Sequence, residues 1–122
     1  MVWIAVAVGG ALGSMARHLV SLEISHRFER PVPWAVFVVN VIGCLVIGLL
    51  AGRVASGRLH LNMLARTFIF VGVLGGFTTF SSFGLDTFTL AHGGAHARAF
   101  WNVVGQLTLG LGGVWLGFYL AL

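Results

Sequence analysis

The chain has 122 residues, of which 58% are hydrophobic and only 8% are charged, and its formal net charge is +4. Soluble domains usually carry about a quarter charged residues, so this composition disfavours a water-soluble enzyme or a nucleic-acid-binding module. The sequence instead predicts a protein of the lipid bilayer. Since a helical crossing takes about 20 residues, at most four short-looped crossings fit into this length.

Four apolar runs predict an all-α membrane protein with one transmembrane domain over residues 1–122. The predicted spans lie at approximately 2–22, 34–52, 63–90 and 99–122. The polar stretch 23–33 is expected to connect the first two spans, and Asn62 is a candidate N-cap of the third. A glycine-containing turn at 92–98 leads into the fourth. The third span is longer than a simple crossing needs.

The basic residues are all arginines near the edges of these runs, where long basic side chains reach the headgroups. If the spans alternate in direction, one side of the membrane carries Arg53, Arg58 and Arg66. The other side carries Arg17, Arg27, Arg30 and Arg98. This balance favours neither orientation, so either another signal fixes it or the chain inserts both ways round. Insertion both ways predicts an antiparallel dual-topology dimer, which also suits a chain with too few helices to enclose a pore easily.

Pairs of glycines four residues apart occur in all four spans. The pairs are Gly9 and Gly13, Gly48 and Gly52, Gly72 and Gly76, and Gly113 and Gly117. Small residues at this spacing let membrane helices approach closely, so we expect dense helix packing. The spacing leaves open which pairs face a second subunit.

The third span contains the segment GGFTTFSSFG at 75–84, and this composition predicts a helix interrupted near its middle. Unwound backbone is tolerated at membrane depth only where protein buries it or a hydrated cavity receives it. A break frees carbonyl oxygens of the first half for a cation and N–H groups of the second half for an anion. The alternative is a continuous helix whose hydroxyls bond back to their own carbonyls.

Phe80 and Phe83 lie on one helical face after the predicted break. Their ring edges are positive, so edges turned toward a pathway would support a small anion. Thr79, Ser82 and Asp86 line a neighbouring stripe of the same half-helix. Packing in the core is the alternative for the two rings.

Polar residues in the other spans allow two interpretations. The Asn40 amide is able to donate to an anion, or to form a structural hydrogen bond between helices. Span four adds Asn102, Gln106 and Thr108, with the same ambiguity. Arg17 and Asp86 are charges in the membrane region and therefore functional candidates. The alternative for Arg17 is that its long side chain extends from a helix end to the membrane–water interface. No hydrolytic triad, phosphate loop or sufficient set of metal-binding side chains occurs in the sequence, so catalysis is disfavoured.

Three segments together resemble the CrcB/Fluc fluoride channels: GGALGSMARH at 9–18, Val-Val-Asn at 38–40 and GGFTTFSSF at 75–83. The likeness covers all four spans in the same order. It implies a fluoride-selective channel that passively exports fluoride from the cytoplasm and confers fluoride resistance. It further implies a multi-pass protein of the plasma (inner) membrane that works as a dual-topology antiparallel homodimer with two pores.

The resemblance also implies roles for individual residues. Asn40 would be a pore amide, Phe80 and Phe83 the phenylalanine pairs, and Ser81 and Ser82 part of a hydroxyl track. A structural Na⁺ would lie on the dimer axis, held by the backbone carbonyls of Gly75 and Thr78 from both subunits. The expected anion pathway is therefore Asn40, Thr79, Phe80, Ser81, Ser82 and Phe83, with the charges Arg17 and Asp86 at its vestibules.

The chain departs from the family pattern at several positions. Asp86 stands where glutamate is usual, and Ala35 and Val36 where Gly-Thr is common. Ser82 replaces a usual threonine, and Gln106 falls where a pore-side serine is common. The span-four residues that line the pathway stay open for this reason.

Two other functions fit the residues without the resemblance. One is a dual-topology exporter of small cations or drugs, which would need Asp86 as its membrane carboxylate. The other is a non-transport subunit of a membrane assembly.

Overall fold

A computed structural model describes residues 1–28 and 33–122 of the chain, and all regular structure in these residues is helical. The helices are α1 (Val2–Arg27), α2 (Trp34–Ala55), α3 (63–77, formed by Met63–Arg66, Thr67–Leu74 and Gly75–Phe77 in succession), α4 (Phe80–His92) and α5 (His96–Leu120). Helices α3 and α4 together form one apolar segment, so the described residues contain four segments that are long and apolar enough to cross a membrane. The predicted all-α membrane protein with a bent third span is confirmed.

The first helix is longer than expected. Glu23 is not the start of the connection, because α1 continues to Arg27. Arg27 pairs with the Glu23 carboxylate one turn earlier at 2.7 Å, an exposed contact that helps to hold the last turn. Arg30, which enters the arginine balance, lies outside the described residues.

The ends of the third span follow local sequence signals. The Asn62 side chain accepts a hydrogen bond from the Ala65 N–H at 2.8 Å, which confirms the predicted N-cap. At the other end, α4 stops before Gly93 and Gly94. Gly94 has φ +82°, a conformation that glycine adopts without steric cost, and it turns the chain into α5.

The helices form two close pairs, α1 with α3 and α2 with α5. The predicted glycine pairs lie at these contacts within one chain. A Cβ atom on Gly9 would sit 2.7 Å from the Phe68 carbonyl oxygen, and one on Gly76 would sit 2.6 Å from the Gly10 carbonyl oxygen. A Cβ atom on Gly117 would sit 2.8 Å from the Leu49 nitrogen. The glycines therefore allow backbone-to-backbone contact inside the bundle.

The third span breaks at Thr78 and Thr79. Their backbones are extended, with φ −84° and ψ 156° at Thr78 and φ −149° and ψ 118° at Thr79. The adjacent glycines, in contrast, stay helical, with φ −63° and ψ −36° at Gly75. The break falls in the predicted segment but after the glycines, because Gly76 is needed for contact with α1, and β-branched threonines suit extended backbone.

Candidate functional site

Asn40 of α2 closes the gap that the break leaves in the backbone. Its Oδ1 accepts a hydrogen bond from the Thr79 N–H at 2.9 Å, and its Nδ2 donates to the Thr79 carbonyl at 3.0 Å. Nδ2 also donates to Gln106 Oε1 at 2.8 Å. The Asn40 oxygen thus replaces the helical acceptor of the Thr79 N–H, which would otherwise lack a partner in a bilayer. The Thr79 carbonyl, as the N-cap carbonyl of α4, accepts the first bond of that helix, and Asn40 is an additional donor to it. Of the two interpretations of Asn40, the structural hydrogen bond is present.

Three hydroxyl groups gather at the N-terminus of α4. Thr79 Oγ1 accepts from the Ser82 N–H at 3.2 Å and so caps the helix. The same hydroxyl lies 3.1 Å from Ser82 Oγ and 3.2 Å from Ser81 Oγ. The expected pathway hydroxyls are therefore adjacent, at the positive end of the helix dipole.

The break also releases backbone oxygens. In an unbroken helix the Thr79 N–H would bond to the Gly75 carbonyl and the Ser82 N–H to the Thr78 carbonyl, but both are diverted to side chains. Thr78 O instead accepts from Arg17 Nη1 at 3.1 Å. Arg17 therefore reaches into the bundle and donates a charge-assisted hydrogen bond to a carbonyl oxygen at the break.

A groove of about 250 Å³ runs past this arrangement. Its lining includes Asn40, Thr79, Phe80, Phe83 and Gln106. The rings of Phe80 and Phe83 lie 5.5 Å apart between centroids at an angle of 42°. Phe80 is 80% exposed in the protomer, so the groove is open on the side where this ring projects.

Asp86 lies elsewhere. It lines a separate cavity of about 330 Å³ together with residues that include Ser21 of α1 and Val36 of α2. The structure thus brings Asn40, Thr79, Phe80 and Phe83 to one groove but does not place Asp86 in it.

A chain of side-chain hydrogen bonds extends from Asn40 across the bundle. Gln106 Nε2 donates to Asn102 Oδ1 at 3.0 Å, Asn102 Nδ2 donates to Thr87 Oγ1 at 2.9 Å, and the Thr87 hydroxyl donates to the Phe83 carbonyl at 2.8 Å. We call Asn40, Gln106, Asn102 and Thr87 the relay. Asn102 and Gln106 are buried, at 5% and 8% exposure.

The sequence alone left the roles of Asn102 and Gln106 open, and Thr87 was not among the predicted site residues. A usable signal was the spacing of four residues between Asn102 and Gln106, which places both amides on one helix face. Thr108, the third polar residue of this span, is exposed and donates to its own helix at Val104 O. It takes no part in the relay.

Comparison with known proteins gives a consistent result. A protein-family profile described as "CrcB-like protein, Camphor Resistance (CrcB)" matches residues 4–118. The chain is 47% identical over 113 residues to the "Fluoride-specific ion channel FluC" of Opitutus terrae, which covers 92% of this chain and 86% of that protein. It is 44% identical to the protein of the same name from Nitrobacter winogradskyi, over 93% of this chain and 90% of that one. A third such protein, from Phocaeicola vulgatus, is 34% identical over 93% of each chain.

Proposed function

Because this chain belongs to the CrcB family, we propose that it is a fluoride-selective channel that lets fluoride leave the cytoplasm passively. The observation that carries the proposal is the groove at the break, where hydroxyls, amides and two phenylalanine rings surround one small space. The names of the relatives indicate an ion channel, a transport role and not an enzymatic one. They support neither the cation exporter nor the assembly subunit.

The chemistry of the groove suits a small, strongly hydrated anion. Fluoride must exchange its water for other hydrogen-bond donors, and these must hold it weakly enough for exit. The hydroxyl of Thr79 and the edges of Phe80 and Phe83 are neutral donors of this kind in the groove. The hydroxyls of Ser81 and Ser82 are not part of its lining, but both lie within 3.2 Å of the Thr79 hydroxyl. A buried cation in the same place would trap the ion, and Arg17 is instead engaged with Thr78 O.

Two copies of the chain are proposed to form an antiparallel homodimer in the inner membrane. The exposed Phe80 ring and the open side of the groove support this, since a second copy would close the groove. The nearly equal arginine numbers of the two sides also support it. Membrane-impermeant thiol labelling of Leu122→Cys in inner-membrane vesicles should mark about half of the molecules from each side. Labelling from one side only would contradict dual topology.

A structural Na⁺ is proposed at the break, on the axis of the dimer. The Gly75 carbonyl has lost its helical donor and Gly75 is exposed on the protomer, so this oxygen is available to a cation. The Thr78 carbonyl would be the second ligand, with one lone pair already used by Arg17. We expect the melting temperature of the purified protein to fall when a large organic cation replaces Na⁺. An unchanged melting temperature would argue against the site.

Fluoride efflux from liposomes tests the main proposal. The unaltered protein should release trapped fluoride faster than chloride, and Phe80→Ile should lose the flux because an aliphatic chain has no positive ring edge. Phe88→Ile is the matched control, since Phe88 lies on the same helix, is 64% exposed, and stacks on His92 outside the groove. Absence of fluoride efflux from well-inserted protein would refute the function. Equal losses in the two variants would refute the role of Phe80.

A further inference from the structure

The orientation of the Asn40 amide follows from one backbone group. The Thr79 N–H can only donate, so the oxygen of the Asn40 amide faces it and the nitrogen faces Thr79 O and Gln106. Gln106 must then present its oxygen to Asn40 and its nitrogen to Asn102. The break thus sets the direction of the relay.

The same logic continues to the end of the relay. Asn102 accepts from Gln106 through its oxygen, so its nitrogen faces Thr87. Thr87 accepts there, and its own hydroxyl donates a hydrogen bond to the Phe83 carbonyl. None of these amides can turn over without opposing two donors or two acceptors.

This arrangement uses both N–H groups of Asn40. One donates to Thr79 O at 3.0 Å and the other to Gln106 Oε1 at 2.8 Å. An anion in the groove can bond to the amide only by displacing one of these acceptors. The bond to Thr79 O is one of two that tie the Asn40 amide to the backbone of Thr79, so breaking it would loosen the amide from the break. The bond to Gln106 joins two side chains, and the Gln106 oxygen can be drawn back without disturbing the backbone. Since an anion forms a stronger hydrogen bond than a neutral amide oxygen, Gln106 is the acceptor that gives way.

We infer that Gln106 is a positioning residue that competes with the transported anion for one N–H of Asn40. The inference rests on the proposed function, with fluoride as the anion. While the groove is empty, Gln106 holds the N–H in place. When fluoride leaves, Gln106 takes the N–H back, which weakens binding and speeds release, as conduction requires.

Flux kinetics of Gln106→Met test the competition. Methionine keeps the length of the side chain but offers no strong acceptor. The half-saturating fluoride concentration should fall about fivefold, the factor that one ordinary neutral hydrogen bond represents. Maximal flux should fall as well, because exit becomes slower. A purely structural defect would lower flux without lowering the half-saturating concentration, so an unchanged or higher value overturns the inference.

Side-chain amide NMR tests the same inference in the unaltered protein. The sequence contains three asparagines (Asn40, Asn62 and Asn102) and one glutamine, Gln106, so selective ¹⁵N labelling gives four amide groups. Fluoride should shift one Asn40 proton and the Gln106 signals together. The cap residue Asn62 should not respond and serves as the internal control. A change in the Asn40 chemical shift without a change in that of Gln106, or an unchanged Asn40 chemical shift, overturns the inference.

Two threonine variants separate the relay from general packing. Thr87 and Thr108 each donate to a carbonyl of their own helix, but Thr87 also accepts from Asn102. Thr87→Val should shift the Asn102 and Gln106 signals, because Asn102 loses its acceptor. The half-saturating concentration should fall only about twofold, since the bond between Gln106 and Asn40 is weakened indirectly and not removed. Thr108→Val should match the unaltered protein, and equal behaviour of the two variants would contradict the relay.

The flux data also separate the proposed fluoride channel function from the competition between Gln106 and the anion. No fluoride flux in the unaltered protein would refute the proposed function. Normal flux together with an unchanged half-saturating concentration in Gln106→Met would refute the competition alone.

Discussion

Replacement of Asn40 by leucine should destabilise the protein far more than the loss of an ordinary surface amide. Leucine has a similar size but removes the three hydrogen bonds that Asn40 makes to Thr79 and Gln106. Two groups would then have no ready replacement, the Thr79 N–H and the Gln106 oxygen, because Thr79 and Gln106 are only 9% and 8% exposed. The Thr79 carbonyl keeps the first intrahelical bond of α4. Each buried group left unpaired costs about 1–3 kcal/mol, so the free energy of unfolding should fall by about 2–6 kcal/mol.

Unfolding in mixed SDS micelles, followed by tryptophan fluorescence, measures this loss. Asn62→Leu is the control, because Asn62 makes one capping bond at an exposed helix start, and its loss should cost about 1 kcal/mol. If Asn40→Leu costs no more than Asn62→Leu, Asn40 does not hold the break together, and the role assigned to it is wrong.

The same measurement of unfolding in SDS micelles checks three further predictions. Gly76→Ala should lower the free energy of unfolding by about 1–3 kcal/mol, because the new Cβ would lie 2.6 Å from a carbonyl of α1. Gly112→Ala should instead raise it by about 0.5–1 kcal/mol, because a Cβ added there meets no atom of the described residues within 4 Å. The opposite order of the two variants would contradict the packing. Thr79→Val should lose the cap of α4, about 0.5–2 kcal/mol, while Thr79→Ser keeps it; equal losses would exclude capping. Arg17→Met should cost about 1.5–3 kcal/mol through its charged hydrogen bond to Thr78 O, and a neutral result would place Arg17 at the interface.

The break in the third span was predicted from local sequence only approximately. Glycine and hydroxyl residues in an over-long apolar segment located the interruption to within a few residues. They did not place it at Thr78 and Thr79, because the positions of the glycines are fixed by contact with another helix. Gly76 faces the backbone of α1 at Gly10, which is a property of the packed bundle and not of the segment.

Asn40 and Gln106 show the same limit for the candidate site. Each is a polar residue in an apolar span, and the sequence alone allowed an anion donor or a structural hydrogen bond for both. The choice depends on which groups lie opposite, and these come from residues 39 and 66 positions away from Asn40. Thr87 was missed because a threonine that bonds to its own helix carries no distinctive signal, and its second contact comes from a different helix.

The sequence by itself determined that the protein belongs in a lipid bilayer, that it has four spans and that the third is interrupted. These properties depend on the lengths of apolar runs and on glycine and hydroxyl residues within one segment, and therefore on local sequence alone. Its motifs also indicated the family. Only the tertiary structure decided that the glycine pairs lie at close helix contacts within one chain and that Asp86 lies away from the groove. It also decided that both N–H groups of Asn40 are hydrogen-bonded. The physical reason is that hydrogen bonds and backbone contacts between helices depend on distances of a few ångströms between residues far apart in the chain, and in a bilayer every such polar group must find its partner inside the protein.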